Sequence, residues 1–224
     1  METAEIYALN KAQYAEKGLE YYTPKEERWN TISHFIGGVL GFVGMIYMLI
    51  IANTTPRIIA AVITGVGGSV PYFVSAVYHY ITDHNKKLIA RKIDYSAVSF
   101  IIVACGAPMT LGIRLTPFNI VALLLCLILA AANIALSLYD IKKFSRYVLV
   151  ADLIVAAIFF GVYLYNRQLI PISGKIFYAC GGAFCLAGLA FFGRKKQFLH
   201  ACFHILMVFG TVSIYFANVF LYFN

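Results

Sequence analysis

Charge is what this sequence has least of. Asp, Glu, Lys and Arg make up 12% of its 224 residues and hydrophobic residues 61%. A soluble domain typically carries about 25% charged and about 45–50% apolar residues. So little polar surface cannot coat a water-soluble body, which excludes disordered chains, nucleic-acid-binding modules and small secreted scaffolds. Acids are scarcer than bases, 10 against 18, giving a net charge of +8. The five cysteines are odd in number and form no CxxC pair, so neither a disulfide framework nor a thiolate zinc site is indicated. They read as small apolar packing residues. No small-residue cleavage site follows the first apolar run, which also begins too late for a cleaved signal peptide. The glycines at 37, 38, 41 and 44 and at 65, 67 and 68 lack the strand–turn–helix setting of a phosphate-binding loop. They read as positions where helix backbones approach closely.

What is abundant is long apolar runs. Seven of about 20 residues occur, at 32–52, 58–80, 93–112, 117–138, 147–165, 172–192 and 198–220. Backbone polar groups in lipid must pair within the segment, so each run is a helix. The expected fold is all-α: an integral membrane bundle of seven transmembrane helices at 31–224. An N-terminal segment at 1–30 precedes it and holds a short interfacial helix. Pro71 and Pro108 predict kinks in the second and third spans. The basic residues alternate with the spans, 14 of the 18 Lys and Arg falling on one side and 4 on the other. By the positive-inside rule, the N-terminus is cytoplasmic and the C-terminus outside. The protein is expected in the cell membrane as a multi-pass protein, with membrane lipids and no nucleic acid among its partners.

Ionisable groups inside lipid are costly, so each asks for an explanation. Ser75 and His79 lie four apart on one face of the second span, Asp94 opens the third, and His200 and His204 lie four apart in the seventh. Asn133 and Asp152 stand in the fourth and fifth. With the orientation above, all seven fall in one layer toward the inner leaflet. Three imidazoles with an open fourth position make a catalytic zinc arrangement, so His79, His200 and His204 are the candidate metal ligands. Asp94 would serve as general base or orient a histidine, and Ser75 would hydrogen-bond water or a substrate oxygen. The bland alternative is that these groups tie helices together. Position 201 is Ala, so no HExxH protease motif is present. Glu26 has two readings, as the capping-box partner of Thr23 or as a functional acid. His34 reads as packing or as a member of the site, and His84, beside Lys86 and Lys87, as solvated. Toward the outer leaflet only Asn218 stands out, which argues against a continuous pore.

The pattern Glu26-Glu27-x-x-Asn30-x-x-Ser33-His34 entering the first span resembles the opening motif of bacterial hemolysin III proteins. Ser75-x-x-x-His79, Lys92-Ile93-Asp94-Tyr95 and His200-x-x-x-His204 extend the resemblance to the progestin and adiponectin receptor superfamily, across the whole chain. The resemblance implies zinc on His79, His200 and His204, with Asp94 and Ser75 nearby. Related alkaline ceramidases hydrolyse a lipid amide. It thus implies a zinc-dependent intramembrane hydrolase of a lipid amide or ester whose substrate carries an acyl chain. The alternative it leaves open is a membrane-homeostasis regulator, or a cytolysin-like protein, in which zinc is structural. The bacterial plasma membrane is its implied location.

Overall fold

The computed structural model describes residues 4–194 and 196–222, and every element in it is helical. A short helix α1 (Ala4–Glu16) is followed by α2 (Pro24–Ile51), α3 (Thr55–Tyr80), α4 (His84–Leu111), α5 (Pro117–Asn166), α6 (Ile172–Phe191) and α7 (Leu199–Tyr222). Five of these, α2, α3, α5, α6 and α7, are long and apolar enough to cross a bilayer. The 50 residues of α5 are two antiparallel arms: at Asp140 the backbone leaves helical geometry, at φ −155° and ψ 92°. The Asp140 side chain accepts from Lys143 N–H and so caps the second arm. Asn133 reaches Val148 O at 3.2 Å, and Asn166 reaches Asn119 Oδ1 at 3.0 Å, so the arms pair along their length. The sixth long helix, α4, carries Lys86, Lys87, Arg91 and Lys92 ahead of its apolar stretch. Counting both arms of α5, the chain is an integral membrane protein of seven apolar helical passes.

Helix starts lie further upstream than the apolar runs suggest. Thr23 caps α2 through a full capping box with Glu26, so the helix begins at Pro24, seven residues before 31. Asp83 caps α4 by accepting from Lys86 N–H at 2.9 Å, so the helix begins at His84, nine residues before the apolar run. Hydropathy finds the lipid-crossing part of a helix, whereas caps find its first turn. The helices run on through Pro71 and Pro108. Pro108 removes the N–H that would bond Ala104 O; the Thr64 hydroxyl donates to that carbonyl instead, at 3.0 Å.

In the chain, α2 packs on α3, α3 on α4, α4 on α5 and α6 on α7, and α7 additionally touches α2, α3 and α4. That central place brings residues of α7 against the end of α3. Close backbone approach is supplied by glycine at a few points. A Cβ on Gly41 would meet Gly68 O at 2.3 Å, and one on Gly181 would meet Gly210 O at 3.0 Å. Large apolar side chains such as Ile50, Ile128 and Leu186 face outward, as lipid contact requires.

Buried polar residues are not confined to one end. Besides Asn218, whose amide donates to Cys105 O at 3.0 Å, Asn119 and Asn166 are wholly buried and bonded to each other. This corrects the expectation that Asn218 stands alone toward the far side. Both residues sit at span termini, where sequence alone makes them look solvated.

Candidate metal centre

The centre forms where the end of α3, the start of α7 and the start of α2 meet. One ligand atom from each of His79, His200 and His204 lies within 4.8 Å of the others. His200 and His204, one helical turn apart on α7, bring their Nε2 atoms to 2.7 Å. A tetrahedral zinc with Zn–N near 2.0–2.1 Å holds its ligand atoms about 3.4 Å apart. The observed spacings bracket that value.

The orientation of the rings is set from outside. His79 Nδ1 lies 2.6 Å from Glu27 Oε2, and Glu27 Oε1 lies 2.8 Å from the Lys87 ammonium. An ionised carboxylate only accepts, so Nδ1 carries the ring proton. The opposite nitrogen, His79 Nε2, is buried without a hydrogen-bond partner. An orphaned imidazole nitrogen in a buried site is the state a metal ligand presents before binding. Tyr22 stacks on His200 at 4.6 Å between ring centroids, and His34 stacks on His204 at 3.7 Å. Tyr22 lies in the α1–α2 connection and donates to Glu20 Oε2 at 2.7 Å; burial pushes its phenol well above the usual range.

Of the site residues anticipated from sequence, the structure brings the three histidines together. Ser75 and Asp94 are near neighbours between α3 and α4, with Ser75 one turn before His79. The carboxylate that contacts a ring of the centre is Glu27, which the motif contains but residue-level reasoning passes over. Its signal is position: one turn past the cap of α2, it faces the same side as Asn30 and His34. Lys87, one of the basic residues between the second and third apolar runs, is 1% exposed, its ammonium donating to Tyr78 O and Ile81 O. His84 is not free in solvent either: it packs edge-on against Tyr14 and sits 3.3 Å from Lys17 Nζ. The cap of α4 at Asp83 sets both outcomes, by placing His84 and Lys87 within a helix rather than a loop.

Glu26 does more than cap. Its Oε2 accepts from Thr23 N–H at 2.8 Å while Oε1 accepts from Phe198 N–H at 2.7 Å, two residues before His200. Asn133 and Asp152 lie apart from the centre. Asp152 Oδ1 accepts from Ser99 Oγ at 2.5 Å and from Asn133 Nδ2 at 2.9 Å, linking α4 to both arms of α5.

The profile of the family described as Haemolysin-III related matches residues 22–215, which includes every residue of the centre. The chain belongs to the haemolysin-III-related family. This family lies within the progestin and adiponectin receptor superfamily. Among curated relatives, the Hemolysin-3 homolog of Bacillus subtilis (strain 168) is 28% identical across 89% of this chain and 95% of its own length. Hemolysin-3 of Bacillus cereus is 25% identical across 88% and 91%. Family membership agrees with the fold, a multi-pass protein of the bacterial cell membrane, and both relatives match nearly end to end.

Proposed function

We propose that this haemolysin-III-related chain is a zinc-dependent intramembrane hydrolase of a lipid amide or ester. The observation that carries the reading is the convergence of three imidazoles, His79 and His204 buried and His200 half-buried, with Ser75 one helical turn before His79 and Asp94 beside that serine. Three neutral imidazoles leave a tetrahedral zinc one open position. Zinc bound there supplies Lewis acidity toward a carbonyl oxygen and acidifies water. Asp94 is the proton carrier: it takes a proton from the attacking water and delivers it to the departing amine or alcohol. Ser75 stands beside that carboxylate. An apolar groove of about 220 Å³, lined by Trp29, Phe198, Ala201, Cys202 and Ile205, flanks the start of α7 and suits an acyl chain. The 14-to-4 distribution of basic residues supports a cytoplasmic N-terminus, which puts the centre on the inner side of the membrane.

Metal analysis of purified protein, with hydrolysis of defined lipid amides and esters, tests the reading. Wild type carries one zinc and turns over substrate; the His200→Ala/His204→Ala variant loses both zinc and activity; Asp94→Asn keeps zinc and loses activity. Full activity in zinc-free protein sinks the proposal. The face-to-face packing of His34 on His204 favours a second reading, a membrane-homeostasis regulator whose zinc is structural. On that reading Asp94→Asn retains cellular function, while the histidine variants destabilise the bundle.

A further inference from the structure

We infer that Glu27, seated by the buried Lys87, is a positioning residue that fixes His79 as a metal ligand through Nε2. The inference rests on the proposal that the centre binds zinc. The geometry is a chain of three groups from three helices: Lys87 on α4, Glu27 on α2 and His79 on α3.

Lys87 is held first. It sits in the first turns of α4, and its ammonium donates to Tyr78 O at 3.1 Å and Ile81 O at 3.0 Å. These are among the last carbonyls of α3, which lack helical partners of their own and present the negative end of its dipole. The third ammonium proton points to Glu27 Oε1 at 2.8 Å. A lysine this deeply buried requires an ionised partner, so Glu27 is a carboxylate, and its place near the N-terminus of α2 favours the same charge.

With one oxygen on Lys87, the other meets His79 Nδ1 at 2.6 Å. The ring proton is thereby committed to Nδ1, which leaves the lone pair on Nε2 of a ring whose centroid lies 5.4 and 4.9 Å from those of His200 and His204. Without the carboxylate, only the Asn30 amide at 3.4 Å remains beside Nδ1, and a proton moved to Nε2 or a rotated ring removes one of three ligands. A carboxylate on the far nitrogen also makes the imidazole a stronger donor. The carboxylate bonded to His79 is that of Glu27 and not that of Asp94.

The test is zinc affinity by competition with a chromogenic chelator, together with the visible spectrum of the cobalt-loaded protein, for detergent-solubilised full-length chain. Glu27→Gln binds zinc about 10–100-fold more weakly than wild type. Since Gln at 27 leaves the Lys87 charge without its counter-ion, Glu27→Gln/Lys87→Met is measured alongside. This double variant removes both charges, folds with a metal-free melting temperature close to wild type, and shows the same weakened affinity with a shifted cobalt spectrum. A purely structural ion pair predicts the opposite: lowered metal-free stability with affinity and spectrum unchanged. Affinity within about twofold of wild type in the double variant overturns the inference while leaving the zinc reading intact. Wild-type protein that takes up no zinc overturns both.

Discussion

The Glu26 carboxylate accepts a hydrogen bond from the backbone N–H of Phe198 at 2.7 Å, joining the first turn of α2 to the residue that introduces α7. Phe198 has φ +63°, a left-handed conformation that a bulky residue adopts only when its surroundings hold it there. One acid thus caps its own helix and secures the backbone two residues ahead of His200.

Replacing Glu26 by Ala removes the capping box and this tether together. We expect a loss of about 1–2 kcal/mol in stability, the range of a lost cap, and weakened zinc binding through a loosened His200. Glu26→Gln, which keeps an acceptor oxygen, recovers part of both. Thermal melts and zinc titration in detergent measure the two effects separately.

Two glycines of the α2–α3 contact behave oppositely when enlarged. At Gly41 an added methyl meets Gly68 O at 2.3 Å, backbone that cannot step aside, whereas at Gly68 nothing lies within 4 Å. Gly41→Ala is expected to cost about 1–3 kcal/mol or more by forcing the helices apart. Gly68→Ala leaves stability unchanged or raises it by up to about 1 kcal/mol through helix propensity. A melting temperature that falls equally in both variants contradicts the close approach.

Asp152 is the shared acceptor of Ser99 and Asn133. Asp152→Ala takes the acceptor from the Ser99 hydroxyl and one acceptor from the Asn133 amide, which keeps Val148 O, and is expected to destabilise by about 1–3 kcal/mol. Asp152→Asn keeps an acceptor for Ser99 and costs less. Neither variant changes zinc affinity, since the cluster joins α4 to α5 and not to the three histidines. Denaturant titration in mixed micelles gives the first quantity and chelator competition the second.

At the opposite end of the bundle, Arg57 closes the last turns of two helices. Its guanidinium donates to Gly112 O at 3.2 Å, Tyr222 O at 2.9 Å and Leu221 O at 3.3 Å, and the Tyr222 hydroxyl returns a bond to Arg57 O at 2.8 Å. Arg57→Met is expected to cost about 1–3 kcal/mol by leaving these carbonyls unpaired. Hydrogen exchange should rise selectively at the C-terminal turn of α7. Arg57→Lys recovers little, because a point charge does not span three acceptors.

Much of this molecule is legible without coordinates. Apolar runs of spanning length define the seven passes, because a backbone in lipid has no partner but itself. The i, i+4 spacing of His200 and His204 puts them on one face by helix geometry alone, and Thr23-Pro24-Lys25-Glu26 reads as a helix start that the capping box bears out. These are local properties, carried by periodicities of a few residues. Which partner each buried polar group meets is not local. Glu27 and Asp94 are both acids near span ends, and nothing in their spacing says that Glu27 is the one to meet His79. Lys87 shows the same limit: four basic residues stand together between the second and third apolar runs, and only the rotation of α4 against α3 chooses the one to be buried. Asn119 and Asn166 become a buried pair only once α5 doubles back at Asp140. Low charge by itself determined that this chain lives in a membrane and that each internal polar group would need a partner. The tertiary structure alone decided the partners, because they lie across helices and depend on how each helix is turned.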